Sequence, residues 1–191
     1  MFINNAELKK QLKSAWKRND LVISKDGNYY HVKFGWASLQ VDANAITNKA
    51  KAMLVELVGD IADEPMLYGE SCAPQLHLDT FEDLINKYAG SSHLCKGTMV
   101  MLNQGGTLNM VMQDSELNKY LLAKEYIDLL SLKEVDKESG ESAPGLPVYE
   151  EGYFVWINNV MALRAPATNI AYEADKIVLS LSADLTCQPL G

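Results

Sequence analysis

Residues 99–112 read MVMLNQGGTLNMVM, two apolar stretches on either side of a Gly105-Gly106 pair. Paired glycines adopt the positive φ angles of a tight turn, so the segment predicts an antiparallel hairpin. Because side chains alternate along a strand, its four methionines fall on one face. A two-residue turn opposes Met101 to Met110 and Met99 to Met112, and leaves Val100, Leu102, Asn109 and Val111 on the other face.

Two further segments have the pattern of a hairpin. Residues 21–34 read LVISKDGNYYHVKF, and a turn at Asp26-Gly27 opposes Ile23 to Tyr30. The stretches YFVWI and VMALR flank Asn158-Asn159, which also tolerates positive φ. Repeated hairpins favour an antiparallel sheet.

Apolar spacing and capping residues predict four helices. The first begins after Asn4, an N-cap that is followed at the right spacing by Glu7. The others are expected at 44–58, at 80–88 and from Asp114 or Ser115 to Leu132, and a last strand is expected at 177–182. The fold class is therefore α+β, a mainly antiparallel sheet of hairpins with three or four helices packed on one face.

The domain organisation predicted from composition has three parts. Residues 1–132 form an α+β domain of helix and hairpin units. Residues 133–147, KEVDKESGESAPGLP, lack apolar periodicity and are expected to form a flexible loop or linker. Residues 148–191 supply a C-terminal hairpin and strand that complete the same domain.

Charge and cysteine content restrict the classes of function. The chain of 191 residues has a formal net charge of −8, which disfavours broad binding to nucleic acid and makes such a partner unlikely. A local basic face, Lys9 to Arg18, fits the solvated side of a helix. Three cysteines at wide spacing favour a reducing compartment, and no apolar run is long enough for a membrane span. We expect a cytoplasmic protein without a membrane partner.

The four methionines allow three interpretations. Thioethers bind Cu(I), so the methionine face could hold copper. Methionine also fills apolar cores, and packing is the favoured interpretation. An adaptable methionine surface could instead contact a protein partner. Five residues are therefore candidates for an interaction surface, namely Met99, Met101, Met110, Met112 and Trp36.

A second set of residues has the donor chemistry of a zinc site. Cys72, His77, His93 and Cys95 are all possible ligands. Their C-x4-H-x15-H-x-C spacing does not match the usual motifs, because a His-x-Cys pair on a strand points to opposite faces. No cofactor is expected.

A third set suggests a hydrolase. Gly69-Glu-Ser71-Cys72-Ala73 is close to the G-x-S-x-G turn that exposes a nucleophilic serine, and Cys72 is an alternative thiol nucleophile. His77 or His93 would then act as the base. Pro74 follows at once, so the expected helix after the nucleophile is missing from the sequence.

The favoured functional hypothesis is a non-enzymatic protein interaction or assembly module, with a protein partner or self-association. Exposed edges of hairpins are natural pairing surfaces. A small thiol or serine hydrolase centred on Ser71 and Cys72 is the alternative. In addition, a helix followed by a hairpin recurs at 5–34, 80–113 and 115–165. Together with the acidic net charge and the lysines gathered on the first helix, this recurrence resembles one structural element of DNA sliding clamps, which implies a nucleic-acid-associated accessory protein as a further alternative.

Overall fold

The computed structural model describes residues 2–131, 135, 140–169, 173–181 and 183–186. The helices are α1 (Asn5–Lys17), α2 (Asn48–Val58), α3 (Leu84–Tyr88), α4 (Lys124–Ile127) and α5 (Glu173–Ser180). The strands are β1 (Leu21–Asp26), β2 (Tyr29–Phe34), β3 (Ala37–Asp42), β4 (Met66–Tyr68), β5 (Gln75–Leu76), β6 (Cys95–Gln104), β7 (Thr107–Asp114), β8 (Lys119–Ala123), β9 (Val148–Glu150), β10 (Tyr153–Ile157) and β11 (Met161–Thr168). None of these described helices is both long and apolar enough to cross a membrane.

The strands form an open antiparallel sheet, which confirms the α+β prediction. Nine of them follow the order β5-β4-β1-β2-β3-β11-β8-β7-β6, and β10 pairs with β11 and β9. Strand β11 joins the two halves of this sheet, because residues 161–164 pair with β3 and residues 167–168 pair with β8. Of the linker predicted at 133–147, the residues 133–134 and 136–139 lie outside the described part of the chain.

Helix α1 has its predicted N-cap and helix α2 has its predicted C-cap. The side chain of Asn4 accepts a hydrogen bond from the amide of Ala6, and Gly59 ends α2 with a φ of 73°. Helix α2 begins at Asn48 with Thr47 as its N-cap, four residues later than predicted. The apolar sides of both helices join the core cluster on one face of the sheet.

The expectation that the helices pack on a single face is not confirmed. Helix α3 buries Leu84 and Tyr88 against Val155 and Ala162, and these strand residues face away from the α1–α2 side. The neighbouring Trp156 belongs to the core cluster beneath α1 and α2. The β1–β2–β3–β11–β10 half of the sheet is therefore covered on both faces.

The β1–β2 hairpin is present with a different register. Ile23 lies opposite Val32, not Tyr30, because Gly27 and Asn28 form the turn in place of Asp26 and Gly27. The change moves the pairing by two residues, and the side-chain period of a strand is also two. The predicted faces are therefore correct although the pairs are not.

The methionine hairpin is also present, with a bulge that changes half of its pairs. Met101 lies opposite Met110 as predicted, but a register shift between Gly97 and Met101 places Gly97 opposite Met112. The pairing of Met99 with Met112 is therefore wrong. A Cβ on Gly97 would come within 2.8 Å of the Met110 sulfur, so glycine leaves room for that thioether.

The long helix predicted from Asp114 or Ser115 to Leu132 is wrong. Its middle is β8, which pairs with β7 and β11, and of the described residues 114–131 only the short α4 is helical. Leu121 and Leu122 point to opposite faces of β8 and both are buried. A strand that is buried on both faces has the same continuous apolar run as a buried helix. The third helix-and-hairpin unit, 115–165, is consequently lost.

The second face of the methionine hairpin is covered by α5, where the sequence predicts a strand at 177–182. Gln104 Nε2 donates to Asp175 Oδ2 at 2.6 Å, and Gln113 Nε2 donates to the carbonyl of Ala183 at 3.0 Å. The Lys119 ammonium donates to the carbonyl of Leu181. Val111, on the same strand face as Gln113, is fully buried. The protein's own C-terminal segment thus covers this face.

Candidate functional site

The nine-strand path of the sheet ends at β5 on one side and at β6 on the other, and β9 ends the branch that leaves β11 through β10. Within the described residues β5 pairs only with β4. Strand β6 pairs with β7, and at its start the chain also meets β9, because the Cys95 amide donates to the Pro147 carbonyl and the Tyr149 amide donates to the His93 carbonyl. Among the residues that the structure describes, the edge of β6 is therefore unpaired beyond Cys95. A strand edge presents unpaired backbone N–H and C=O groups that can pair with another chain. The two edges lie at opposite ends of the nine-strand path.

Each edge carries one very exposed apolar side chain. Leu78, two residues after β5, is 92% exposed, and Met99 in the bulge of β6 is 83% exposed. They are the most exposed large apolar side chains of the described residues. Leu76, in β5 itself, is 60% exposed. Large apolar side chains in such positions are typical of interaction sites.

The two edges differ in charge. Residues 59–86, which include β4 and β5, contain seven Asp and Glu residues and no Lys or Arg. Residues 95–113, which form most of the β6–β7 hairpin, contain no Asp or Glu and one basic residue, Lys96. The β5 segment is therefore acidic, whereas the β6–β7 segment carries no carboxylate up to Gln113.

The other residues predicted for an interaction surface differ in their exposure to solvent. Met112 is buried in the core, and Met101 and Met110 are half-buried. Trp36 is 73% exposed in the turn between β2 and β3, where Gly35 has a φ of 63°. Of the five residues, Met99 and Trp36 are accessible to a partner.

The hydrolase candidates are not assembled into a catalytic group. The Ser71 hydroxyl donates to Asn19 Oδ1 at 3.1 Å and accepts from Asn19 Nδ2 at 2.9 Å. Cys72 beside it is half-buried. His77 follows β5, whereas Ser71 and Cys72 precede it. Nδ1 of His77 accepts a hydrogen bond from the amide of Asp79 at 3.2 Å. The glycine of the motif has a packing role, because a Cβ on Gly69 would lie 2.5 Å from Asn19 Cα.

His93 forms a polar cluster that the sequence does not reveal. Its Nε2 lies 2.7 Å from Oδ2 of Asp114, whose side chain is fully buried. Asn118 Nδ2 and the Tyr120 hydroxyl donate to the same oxygen at 2.9 and 3.2 Å. The amides of Glu116 and Asn118 donate to Oδ1, each at 2.9 Å. The sequence predicts Asp114 as a possible N-cap of a helix, but its spacing to Asn118 in Asp-Ser-Glu-Leu-Asn is a local signal for a side-chain-to-backbone turn.

Burial and hydrogen bonding shift the pKa of Asp114 and the pKa of the neighbouring Cys95 in opposite directions. Burial alone would raise the pKa of Asp114, but hydrogen bonds from His93 and Asn118 lower that pKa to about 2. Burial and the Asp114 charge raise the pKa of the Cys95 thiol to about 12. Cys95 is fully buried opposite Asp114, and with this raised pKa its thiol is protonated at neutral pH. The histidine and carboxylate therefore lack a reactive thiol beside them.

The proposed zinc ligands are not brought together. Cys72, His77, His93 and Cys95 all lie in the described part of the chain, where no group of three or more His, Cys, Asp or Glu side chains could hold a metal ion. Their surroundings differ, because His93 is tied to Asp114 and Cys95 faces the core.

Comparison with protein-family models gave no match, and neither curated protein sequences nor solved structures match this chain.

Proposed function

We propose that this protein is a non-enzymatic assembly module that associates with further copies of itself, edge to edge. The observation that carries the proposal is the position of Leu78 and Met99. The two most exposed large apolar side chains of the described residues lie at, or directly after, the strands that end the nine-strand path of the sheet. Pairing of β5 in one copy with β6 in the next would bury both side chains and use the unpaired backbone groups.

Charge favours contact between unlike edges. Two β5 edges would bring two acidic segments together, and like charges in contact are unfavourable. The β6 edge has no carboxylate between residues 95 and 113 and presents Lys96, so it suits an acidic partner. An interface between unlike edges is head-to-tail, and it builds a ring or an open filament according to its rotation.

The shape of the edges supports a specific contact over indiscriminate aggregation. Strand β5 has two residues, and the bulge between Gly97 and Met101 interrupts β6. Short edge strands and bulges both limit unspecific pairing. Selectivity would therefore depend on the side chains of Leu78 and Met99.

Light scattering after size exclusion tests the proposal. The wild-type chain should have a mass of at least twice 21.2 kDa, and L78K and M99K should each be monomeric. An equimolar mixture of the two variants should give a dimer, because each retains one intact edge. W36K removes an equally accessible apolar side chain away from both edges and should assemble normally.

Three outcomes would overturn this assignment. A wild-type chain that stays monomeric at high concentration would refute self-association. A single variant that still dimerises shows contact between like edges. Loss of assembly in W36K equal to that in L78K places the interface at the β2–β3 turn.

A second candidate function is association with nucleic acid through α1 and α2. These helices pack together, with Lys9 and Glu56 bridged at 3.0 Å, and their outer sides expose Lys10, Lys13, Lys17 and Lys49. Residues 1–58 contain nine Lys and Arg against five Asp and Glu, whereas the rest of the chain contains eight against twenty. Such a basic face suits a phosphate backbone.

Fluorescence anisotropy with a labelled duplex oligonucleotide tests this second candidate. Affinity should fall as salt rises, and the double variant K13E/K17E should reduce it at least tenfold. The variant K176E, which reverses an exposed charge on α5, should bind like the wild type. An equal loss of affinity for the oligonucleotide in both variants, or no binding by the wild type at low salt, would refute nucleic-acid binding through α1 and α2.

A further inference from the structure

A cavity of 220 Å³ lies on the face of the sheet opposite α1 and α2. Its floor is formed by β1, β2, β3 and β11. Its roof is the segment from His77 to Leu84, which connects β5 to α3. The roof segment includes His77, one of the predicted candidates, and Leu78 of the β5 edge, but neither the hydrolase hypothesis nor the assembly proposal assigns a role to this space.

The roof is fixed to the floor by two buried polar side chains. His31 Nε2 is bonded to Asp26 Oδ2 at 2.8 Å, and the ring stacks on Phe81 with centroids 5.1 Å apart. Gln40 Nε2 donates to Asp83 Oδ1 at 3.0 Å, and Gln40 Oε1 accepts from the amide of Ile85 at 3.2 Å. His31 and Gln40 are both almost fully buried. The cavity is therefore preformed.

Three hydrogen-bond donors stand in one row across the floor. Ser38 lies opposite Lys33 on one side and opposite Arg164 on the other. All three line the cavity. Directly opposed residues of antiparallel strands have Cβ atoms about 5 Å apart. An ammonium, a hydroxyl and a guanidinium thus stand side by side.

The guanidinium of Arg164 is held in place with donor capacity left over. Its Nη1 donates to Glu82 Oε2 at 2.7 Å, and its Cζ lies 4.5 Å from the centroid of the Tyr153 ring. Its buried Nε has no hydrogen-bond partner within the described residues. Glu82 also pairs with Lys87 at 3.4 Å, so its charge is shared between two cations.

The ammonium of Lys33 makes no ion pair with any described residue. The roof adds two more polar side chains, Thr80 and His77, and one further carboxylate, Asp79. The cations and hydrogen-bond donors of the floor suit an oxyanion. The carboxylate of Asp79 in the roof repels negative charge, so the ligand should carry few negative charges.

We propose that this cavity binds a small ligand through one phosphate group, held by Lys33, Ser38 and Arg164. Three neighbouring donors match the several oxygens of a tetrahedral oxyanion, and the guanidinium adds a planar, permanently charged contact. The volume admits a small phosphorylated molecule and excludes a polymer.

Titration with inorganic phosphate, followed by amide NMR at constant ionic strength, tests the site. Saturable shifts are expected at residues of β2, β3, β11 and the roof. Lys33→Gln should weaken phosphate binding at least tenfold, and Ser38→Ala should weaken it several-fold. Lys25→Gln is the matched control, because Lys25 projects from the other face of the sheet toward Tyr30.

Four results separate a real site from its alternatives. Absence of saturable shifts in the wild type overturns the site, and so does undiminished binding by Lys33→Gln. Equal weakening in Lys25→Gln identifies unspecific charge attraction and also overturns it. Selective loss in Lys33→Gln with an unchanged spectrum elsewhere supports it. The monomeric variant M99K should bind phosphate normally, so failure of the assembly proposal leaves this result intact.

Discussion

Nε2 of His93 lies 2.7 Å from Oδ2 of Asp114, which joins a half-exposed imidazole to a fully buried carboxylate. The carboxylate accepts five hydrogen bonds in all, from three side chains and two amides of the β7–β8 turn. Because so many hydrogen bonds meet on one residue, we expect Asp114 to stabilise the part of the sheet formed by β6, β7 and β8.

Replacement of Asp114 should destabilise the protein at neutral pH. Asp114→Asn keeps the shape of the side chain but removes its charge. It also puts an amide NH₂ group, a hydrogen-bond donor, where the surrounding groups need an acceptor. We expect a loss of about 1–3 kcal/mol, the usual range for a buried group left without its partners. Urea unfolding measures it. Asp60→Asn, at an exposed position, is the control and should change the free energy of unfolding little.

The same residue predicts a loss of stability in acid. The pKa of Asp114 is lowered from 3.8 to about 2 in the folded chain, so its contribution is complete above pH 4 and is lost as the pH falls toward 2. The shift corresponds to about 2 kcal/mol. Unfolding curves across this window should show the loss in the wild type, and Asp114→Asn should lack that component. An identical acid profile in both proteins would contradict the assignment.

Gly69 should tolerate no side chain. A Cβ there would lie 2.5 Å from the Cα of Asn19, a backbone atom that cannot move aside easily. Gly69→Ala should therefore cost about 2 kcal/mol in thermal or urea unfolding. Gly90→Ala is a matched control, because nothing lies within 4 Å of a Cβ at that position. Equal stability of the two variants would argue against the close contact.

Lys119 should hold α5 onto the hairpin. Its ammonium donates to the carbonyls of Leu117 and Leu181, and a cation near the C-terminal end of a helix also interacts favourably with the helix dipole. Lys119→Met should speed amide hydrogen exchange in α5 several-fold and leave exchange in β1–β3 unchanged. Lys176→Met, which removes an exposed pair with Glu173 on the same helix, should have a smaller effect.

Cys95 should resist alkylation in the native protein. Its thiol is fully buried and its pKa is raised to about 12, so almost no thiolate is present at pH 8. Peptide mapping after iodoacetamide treatment should find Cys95 unmodified until denaturant is added, whereas the half-buried Cys72 should react first. Rapid native labelling of Cys95 would show that the β6–β7 hairpin opens.

Local signals in the sequence were sufficient where neighbouring residues decide the structure. The Asn4 cap, the glycines of the β6–β7 turn and the face assignments of β1 and β2 follow from backbone preferences and from a side-chain period of two. The β1–β2 register differed by two residues, which exchanged partners without exchanging faces. The predicted hairpins indicated that the sheet would have edge strands. Which strands lie at the edges follows only from the complete strand order.

The tertiary structure decided what local patterns leave open. Leu121 and Leu122 suit a buried helix and a strand buried on both faces equally well, and pairing with β7 and β11 selects the strand. Asp114 has the residue type of a helix cap, and three of its five donors belong to the adjacent turn, but His93 and Tyr120 reach it only once β6, β7 and β8 lie side by side. The donor row of Lys33, Ser38 and Arg164 depends on pairing between residues more than a hundred positions apart. Sequence determined the elements that short-range sterics control, and long-range strand pairing determined which polar groups lie together.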